Sequence, residues 1–142
     1  MSGAYIPVAL RQLIIEQAGN RCGYCLVDQD LLYVPLEFEH ILPRSRGGQT
    51  IAENLCLTCS ICNGYKSDQM EALDPATQQI VPLFNPRLDD WWKHFRWSDD
   101  GLEVIGLTPT GRATVIALQL NTLQRAKTRL RWVSVGWHPP KQ

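Results

Sequence analysis

The chain has 142 residues, 44% of them hydrophobic and 20% charged, and its fourteen basic and fourteen acidic side chains cancel. That balance suits a single globular domain with a modest core and excludes a disordered polar tail. No apolar run approaches the ~20 residues of a membrane-spanning helix, and MSGAYIPVALRQLIIEQ has no basic start and meets an arginine and a glutamate too early for a signal peptide, so a cytoplasmic protein is expected.

Pro7 to Ala18 predicts a helix: proline suits the first turn, Val8, Leu10, Leu13 and Ile14 give an apolar side, and Gly19-Asn20 can end it. The helix delivers the chain into RCGYC, where Cys22 and Cys25 are two residues apart and Gly23 helps a tight turn with backbone amides aimed at sulfur. Leu31 to Ile41 is the β part, with Val34, Leu36 and Phe38 alternating with Tyr33, Pro35 and Glu37. Pro35 favours an edge strand or a break into two short strands. On a regular strand the neighbours Glu39 and His40 point to opposite faces, so they share one site only where the strand bends.

Pro43 to Thr50 is a loop carrying Arg44, Arg46 and the pair Gly47-Gly48. Ile51 to Leu57 reads as a short turn or helical piece with Asn54 on it. Cys59 and Cys62 repeat the earlier two-residue gap, and Asn63 to Met70 follows as a helix whose first turn points backbone amides at the site, with Lys66 one turn along. Leu73 to Arg87, interrupted by Pro75, Pro82 and Pro86, reads as a connecting segment wrapping the domain.

Asp89 to His94 suits a short helix. Phe95-Arg96-Trp97, the turn Ser98 to Gly101 and Leu102 to Leu107 predict a β-hairpin. Thr108 and Pro109 start a helix to about Leu120, and Asn121 caps another to about Val133. Ile116, Leu120, Leu123, Ala126, Leu130 and Val133 recur at helical steps and are expected to form a buried stripe. Most of the tryptophans are expected in the core around the hairpin. Asp68 to Glu103 holds eight acidic residues against Arg87, Lys93 and Arg96, whereas no acid follows Glu103. The basic last third is either a phosphate-facing surface or a solvated face balancing the acidic middle.

The odd count of five cysteines, in a reducing compartment, argues against disulfides. Two knuckles with the same gap instead offer four thiolates to one tetrahedral zinc. Cys56, Cys59 and Cys62 overlap, so either Cys56/Cys59 or Cys59/Cys62 can supply the second pair.

Glu39-His40, Gly47-Gly48, Asn54-Leu55 and Cys59-Ser60-Ile61-Cys62-Asn63, framed by the knuckles, resemble the HNH endonucleases over Arg21 to about Asp68. The resemblance implies an α+β chain with a ββα-metal, treble-clef-like core stapled by a four-cysteine zinc. The N-terminal helix precedes that core, and the hairpin and helices of about 83–135 follow it. The family pattern puts Asn63 directly after the last ligand, which selects Cys22, Cys25, Cys59 and Cys62 and leaves Cys56 as a small buried hydrophobe.

The implied activity is a divalent-metal-dependent endonuclease that hydrolyses phosphodiester bonds, most simply in double-stranded DNA. His40 would be the general base. Glu39 and Asn63 would hold one hydrated divalent ion, Mg²⁺ or Mn²⁺, and Asn54 would tie down the loop and hold His40 in orientation. Arg44, Arg46 and Lys66 would bind flanking phosphates. This chain has Asn63 where many members have histidine, and Glu39 where aspartate is commoner. With four sulfur ligands the zinc has no open position and would be structural. The rival readings are a non-catalytic zinc module that binds nucleic acid or protein, and a nuclease acting on RNA. Neither site specificity nor an oligomeric state or protein partner is legible.

Overall fold

The computed structural model describes residues 5–142, so the first four residues of the N-terminal stretch read above lie outside it. No helix among the described residues is long and apolar enough to cross a membrane. The chain forms two compact units: residues up to Met70 with Asn85–Asp89, and Glu71–Phe84 with Asp90–Gln142.

In the first unit, α1 (Val8–Ala18) starts after Pro7 and ends where Gly19 turns left-handed, its N–H closing on Glu16 O. It lays Ile14, 1% exposed, against β2 (Leu55–Thr58). All four residues of β2 are buried, and Leu55 and Leu57 contribute about 1.5–3 kcal/mol each by leaving water. β2 pairs antiparallel with β1 (Glu37–His40), with Glu39 opposite Cys56 and His40 opposite Leu55.

The β segment is shorter than the alternation over 31–41 suggests. Gln29–Leu31 is a 3₁₀ turn, and the Gln29 side chain takes up Val34 O (3.0 Å) and Leu36 N (2.6 Å), so backbone groups around Pro35 are satisfied outside any sheet. The stretch expected as a turn at 51–57 splits into a 3₁₀ turn, Ala52–Asn54, and β2 itself. The following helix, α2 (Ser60–Lys66), begins three residues before Asn63 because Cys59 caps it. Its first turn therefore serves sulfur, not the Asn63 neighbourhood.

In the second unit, the segment expected to be a mere connection carries a hairpin, β3 (Glu71–Leu73) with β4 (Ile80–Pro82). Asp74 makes that turn: its carboxylate accepts from Ala76 N, Thr77 Oγ1 and, through both oxygens, Arg112 (2.9 and 3.0 Å). Next come α3 (Trp91–His94), capped by Asp90, and the expected hairpin, β5 (Phe95–Trp97) with β6 (Val104–Gly106). α4 (Pro109–Ala117) is capped by Thr108 and packs on β6, β3 and β4.

The cap of α5 (Leu123–Ser134) is Thr122, not Asn121. Asn121 is spent on Val104, giving Nδ2 to its carbonyl and taking its N–H, both at 2.8 Å. The expected apolar stripe is buried only in part: Leu120 is in the interior, and Ala126 and Val133 are half-buried. Ile116, Leu123 and Leu130 are more than half exposed, while the interior receives Ala113, Thr114, Leu118, Leu120 and Arg129. Trp91 and Trp97 fill the core beside Phe84 and Phe95, and Arg129 lies 5.2 Å over the Trp97 ring, but Trp137 is exposed. The basic run is thus partly internal: Arg112 holds Asp74, and Arg125 and Arg129 donate to main-chain carbonyls.

Arg112 beside Asp74 holds that carboxyl well below the usual carboxylate range, with its other hydrogen bonds adding to the effect. A depressed folded value stabilises above the unfolded pKa of ~3.9 and is lost as pH falls through the folded value. Asp74→Asn is therefore expected to lower the melting temperature at pH 7 and to flatten its decline below about pH 4. Thermal melts from pH 7 to 2 check this; parallel curves for wild type and variant would contradict it.

Candidate active site

The four cysteines at the two expected pairs come together. The Sγ atoms of Cys22, Cys25, Cys59 and Cys62 lie within 4.8 Å of one another, all buried, and those of Cys25 and Cys59 are 3.7 Å apart. Zn–S bonds near 2.3 Å in a tetrahedron set sulfur atoms about 3.8 Å apart, so the set could hold a zinc ion. Cys25 N and Cys62 N point at the first sulfur of their knuckles (3.5 and 3.4 Å), the usual support for thiolate charge. Gly23 lies in the first of these turns, as expected, and has a second use. Its N–H goes to Leu57 O, and a Cβ there would meet Pro86 at 2.7 Å, so glycine permits close packing. Cys56 lies outside the cluster, and burial pushes its thiol up to about 12.

Beside this cluster is a cleft of about 520 Å³ lined by Glu37, Glu39, His40, Pro43, Arg44, Ser45, Ser60, Asn63, Gly64, Ser67 and Asp68. Glu39 and His40 both line it although they are sequence neighbours. His40 is the last residue of β1, where pairing gives way to the turn. Its ring is 1% exposed; Nε2 meets Thr50 Oγ1 at 2.9 Å, and Nδ1 is buried with no hydrogen-bond partner. Burial is the largest influence on this imidazole and lowers its pKa, against an opposing pull from Glu39. Glu39 accepts from His40 N through Oε1, while Oε2 is buried and unpartnered.

Asn63, on α2, gives its amide Nδ2 to Glu37 Oε1 at 2.6 Å. Asn54 is not in the cleft. Its Oδ1 accepts from Leu42 N (2.8 Å), and its Nδ2 donates to Leu42 O (3.1 Å) and Gln49 O (2.9 Å). One amide thus joins both ends of the loop between β1 and β2. It touches the backbone rather than the imidazole, and the ring is held by Thr50, one residue past Gln49. Gly48 completes the loop: a Cβ would sit 1.8 Å from Leu42 O and 2.9 Å from Asn54 Nδ2.

Of the three expected phosphate contacts, only Arg44 lines the cleft; Arg46 is exposed on the same loop but outside it. Lys66 is corrected outright. It is 2% exposed and donates to Ile41 O at 2.9 Å, and burial pushes its pKa down. Its apolar stem lies in the interior and its ammonium braces the turn after β1. Two residues escaped the sequence reading. Glu37 shares a face with Glu39 by strand alternation, a signal that was present; Thr50 sits in a loop without spacing to mark it.

Residues 22–69 match the HNH endonuclease family, and all four clustered cysteines lie within that segment. That match supports a nuclease-type function. Over 125 residues, 85% of its length, the chain is 30% identical to the Septu protein PtuB of Bacillus thuringiensis, and it spans 43% of that relative. No solved structure gives a significant match.

Metal analysis of the purified chain is expected to find one zinc, lost in Cys22→Ser or Cys62→Ser and kept in Cys56→Ser. Zinc retained by Cys62→Ser but lost from Cys56→Ser would reassign the second knuckle. Gly48→Ala is expected to cost about 1–3 kcal/mol of stability through the clash with Leu42 O, read by urea unfolding. An unchanged midpoint would show that the loop gives way freely.

Proposed function

We propose that the chain is a divalent-metal-dependent endonuclease that hydrolyses phosphodiester bonds in DNA, with His40 as general base. The observation that carries this is the pair of unpartnered buried atoms, His40 Nδ1 and Glu39 Oε2, on two residues that line one cleft. An imidazole whose Nε2–H donates to Thr50 Oγ1 keeps its Nδ1 lone pair, and a pKa lowered by burial keeps it neutral at pH 7. Such a nitrogen can take a proton from an attacking water. A binding module has no use for it.

The cleft's charge argues for a cation. Glu37, Glu39 and Asp68 face it against Arg44 alone, a lining that repels a phosphodiester by itself. Its oxygen donors are those of a hard ion: a carboxylate with an orphan oxygen, the Asn63 amide and three serines. Glu39 and Asn63 would hold Mg²⁺ or Mn²⁺ there. Bound, that ion would neutralise the phosphate and stabilise the leaving 3′ oxygen. The chain's own residues do the rest: His40 accepts the proton at Nδ1, Thr50 fixes the ring, Asn54 fixes the loop that carries both, and Arg44 meets a non-bridging phosphate oxygen. The zinc remains structural.

Supercoiled plasmid incubated with Mg²⁺ or Mn²⁺ tests this, beside matched RNA. Wild type is expected to nick or linearise the plasmid only with the divalent ion. His40→Ala is expected to lose ~10²–10⁴-fold in rate while keeping zinc and DNA affinity. Cleavage at an undiminished rate by His40→Ala, or in excess of a weak chelator that leaves zinc in place, would refute the assignment.

A further inference from the structure

Glu37 has no part in the mechanism above, yet it makes a short polar contact in the cleft. It lies two residues before Glu39, so β1 alternation turns both carboxylates to one face, and α2 brings Asn63 against Glu37 in the cleft that all three line. Glu37 Oε1 accepts from Asn63 Nδ2 at 2.6 Å. A carboxylate only accepts, so the NH₂ of the amide must face Glu37 and Oδ1 must face away from it. An asparagine free to flip would offer a cation its oxygen in one orientation and its repelling NH₂ in the other.

We propose that Glu37 is a positioning residue that fixes the rotamer of the Asn63 amide, so that Oδ1 and not Nδ2 is offered to the divalent ion. The inference rests on the reading that Glu39 and Asn63 hold that ion. It explains how a neutral side chain at position 63 serves as a dependable ligand: the group beside it decides which end is presented. A partner of this kind typically changes metal affinity by ~10–100-fold. The arrangement also joins the first strand to the helix, so the two oxygen donors keep their spacing.

The test is Mn²⁺ titration of the zinc-loaded full chain followed by electron paramagnetic resonance, with zinc content and near-ultraviolet circular dichroism reporting the fold. Glu37→Ala is expected to weaken Mn²⁺ binding about 10-fold. Glu37→Gln keeps an acceptor for Nδ2 and the same volume, and is expected to stay within about threefold of wild type, well inside that loss. In an Asn63→Asp background either end of the side chain is an oxygen. Adding Glu37→Ala there is expected to leave Mn²⁺ binding unchanged or tighter, since two facing carboxylates are relieved.

Wild-type affinity in Glu37→Ala would overturn the proposal. So would a loss in Glu37→Gln as large as in Glu37→Ala, or a persistent loss in the Asn63→Asp background, because each makes Glu37 a ligand or a charge and not an orienting group. Glu39→Ala separates the two levels: if it binds Mn²⁺ as tightly as wild type, or wild type binds none, the metal site itself is refuted and the role of Glu37 falls with it. Should Glu37→Ala lose zinc or fold, Glu37→Leu, of similar volume and without an acceptor, takes its place beside Glu37→Gln, and wild-type affinity in it would equally overturn the proposal.

Discussion

Everything in the first unit depends on four sulfur atoms meeting in one buried place. The knuckles enclose the segment from Cys25 to Cys59, which contains both strands and the loop between them. Pinning the ends of such a segment removes about 4 kcal/mol of chain entropy from the unfolded state, on the footing used for covalent cross-links. The strands are four residues each, too short to hold a sheet without help. Their pairing, and hence the register that places Glu39 opposite Cys56, is backed by α1 packed on β2 and would be sustained further by a zinc ion closing the knuckles.

The cleft next to the sulfurs has the opposite character. It is lined by polar and acidic side chains, and several of them are held by hydrogen bonds from their neighbours. Thr50 holds His40, Glu37 holds Asn63, and Asn54 holds the loop. Lys66, one residue before the lining Ser67, is withdrawn to brace Ile41 O, which leaves Arg44 as the one cation among the lining residues. Removing a positive charge from an acidic site leaves the negative potential uncompensated, which favours a small mobile cation there over a fixed ammonium.

Sequence alone revealed what is local or strongly spaced: α1 with its Pro7 and Gly19 ends, the paired cysteine gaps, and the hairpin around Ser98–Gly101. It missed what is long-range. The β3–β4 turn is set by Asp74, whose arginine partner lies 38 residues away, and no local pattern marks that pair. The apolar spacing on α4 and α5 was real but could not say which face turns inward; Arg129 went in and Leu130 stayed out. Lys66 could not be placed because a long stem lets the same residue lie on a surface or thread an interior. Glu37 was legible as an alternating polar residue, but its bond to Asn63 joins two elements 26 positions apart.

The amide of Asn54 has one acceptor and two donors, and the loop mouth presents it with one N–H and two carbonyls. The match is a matter of stoichiometry. Aspartate would press lone pairs against two carbonyl oxygens, serine would answer too few of the three, and glutamine would overshoot. The gap between Leu42 and Gln49 thus reads side-chain chemistry as a keyhole reads teeth, and a single amino acid of that length turns it.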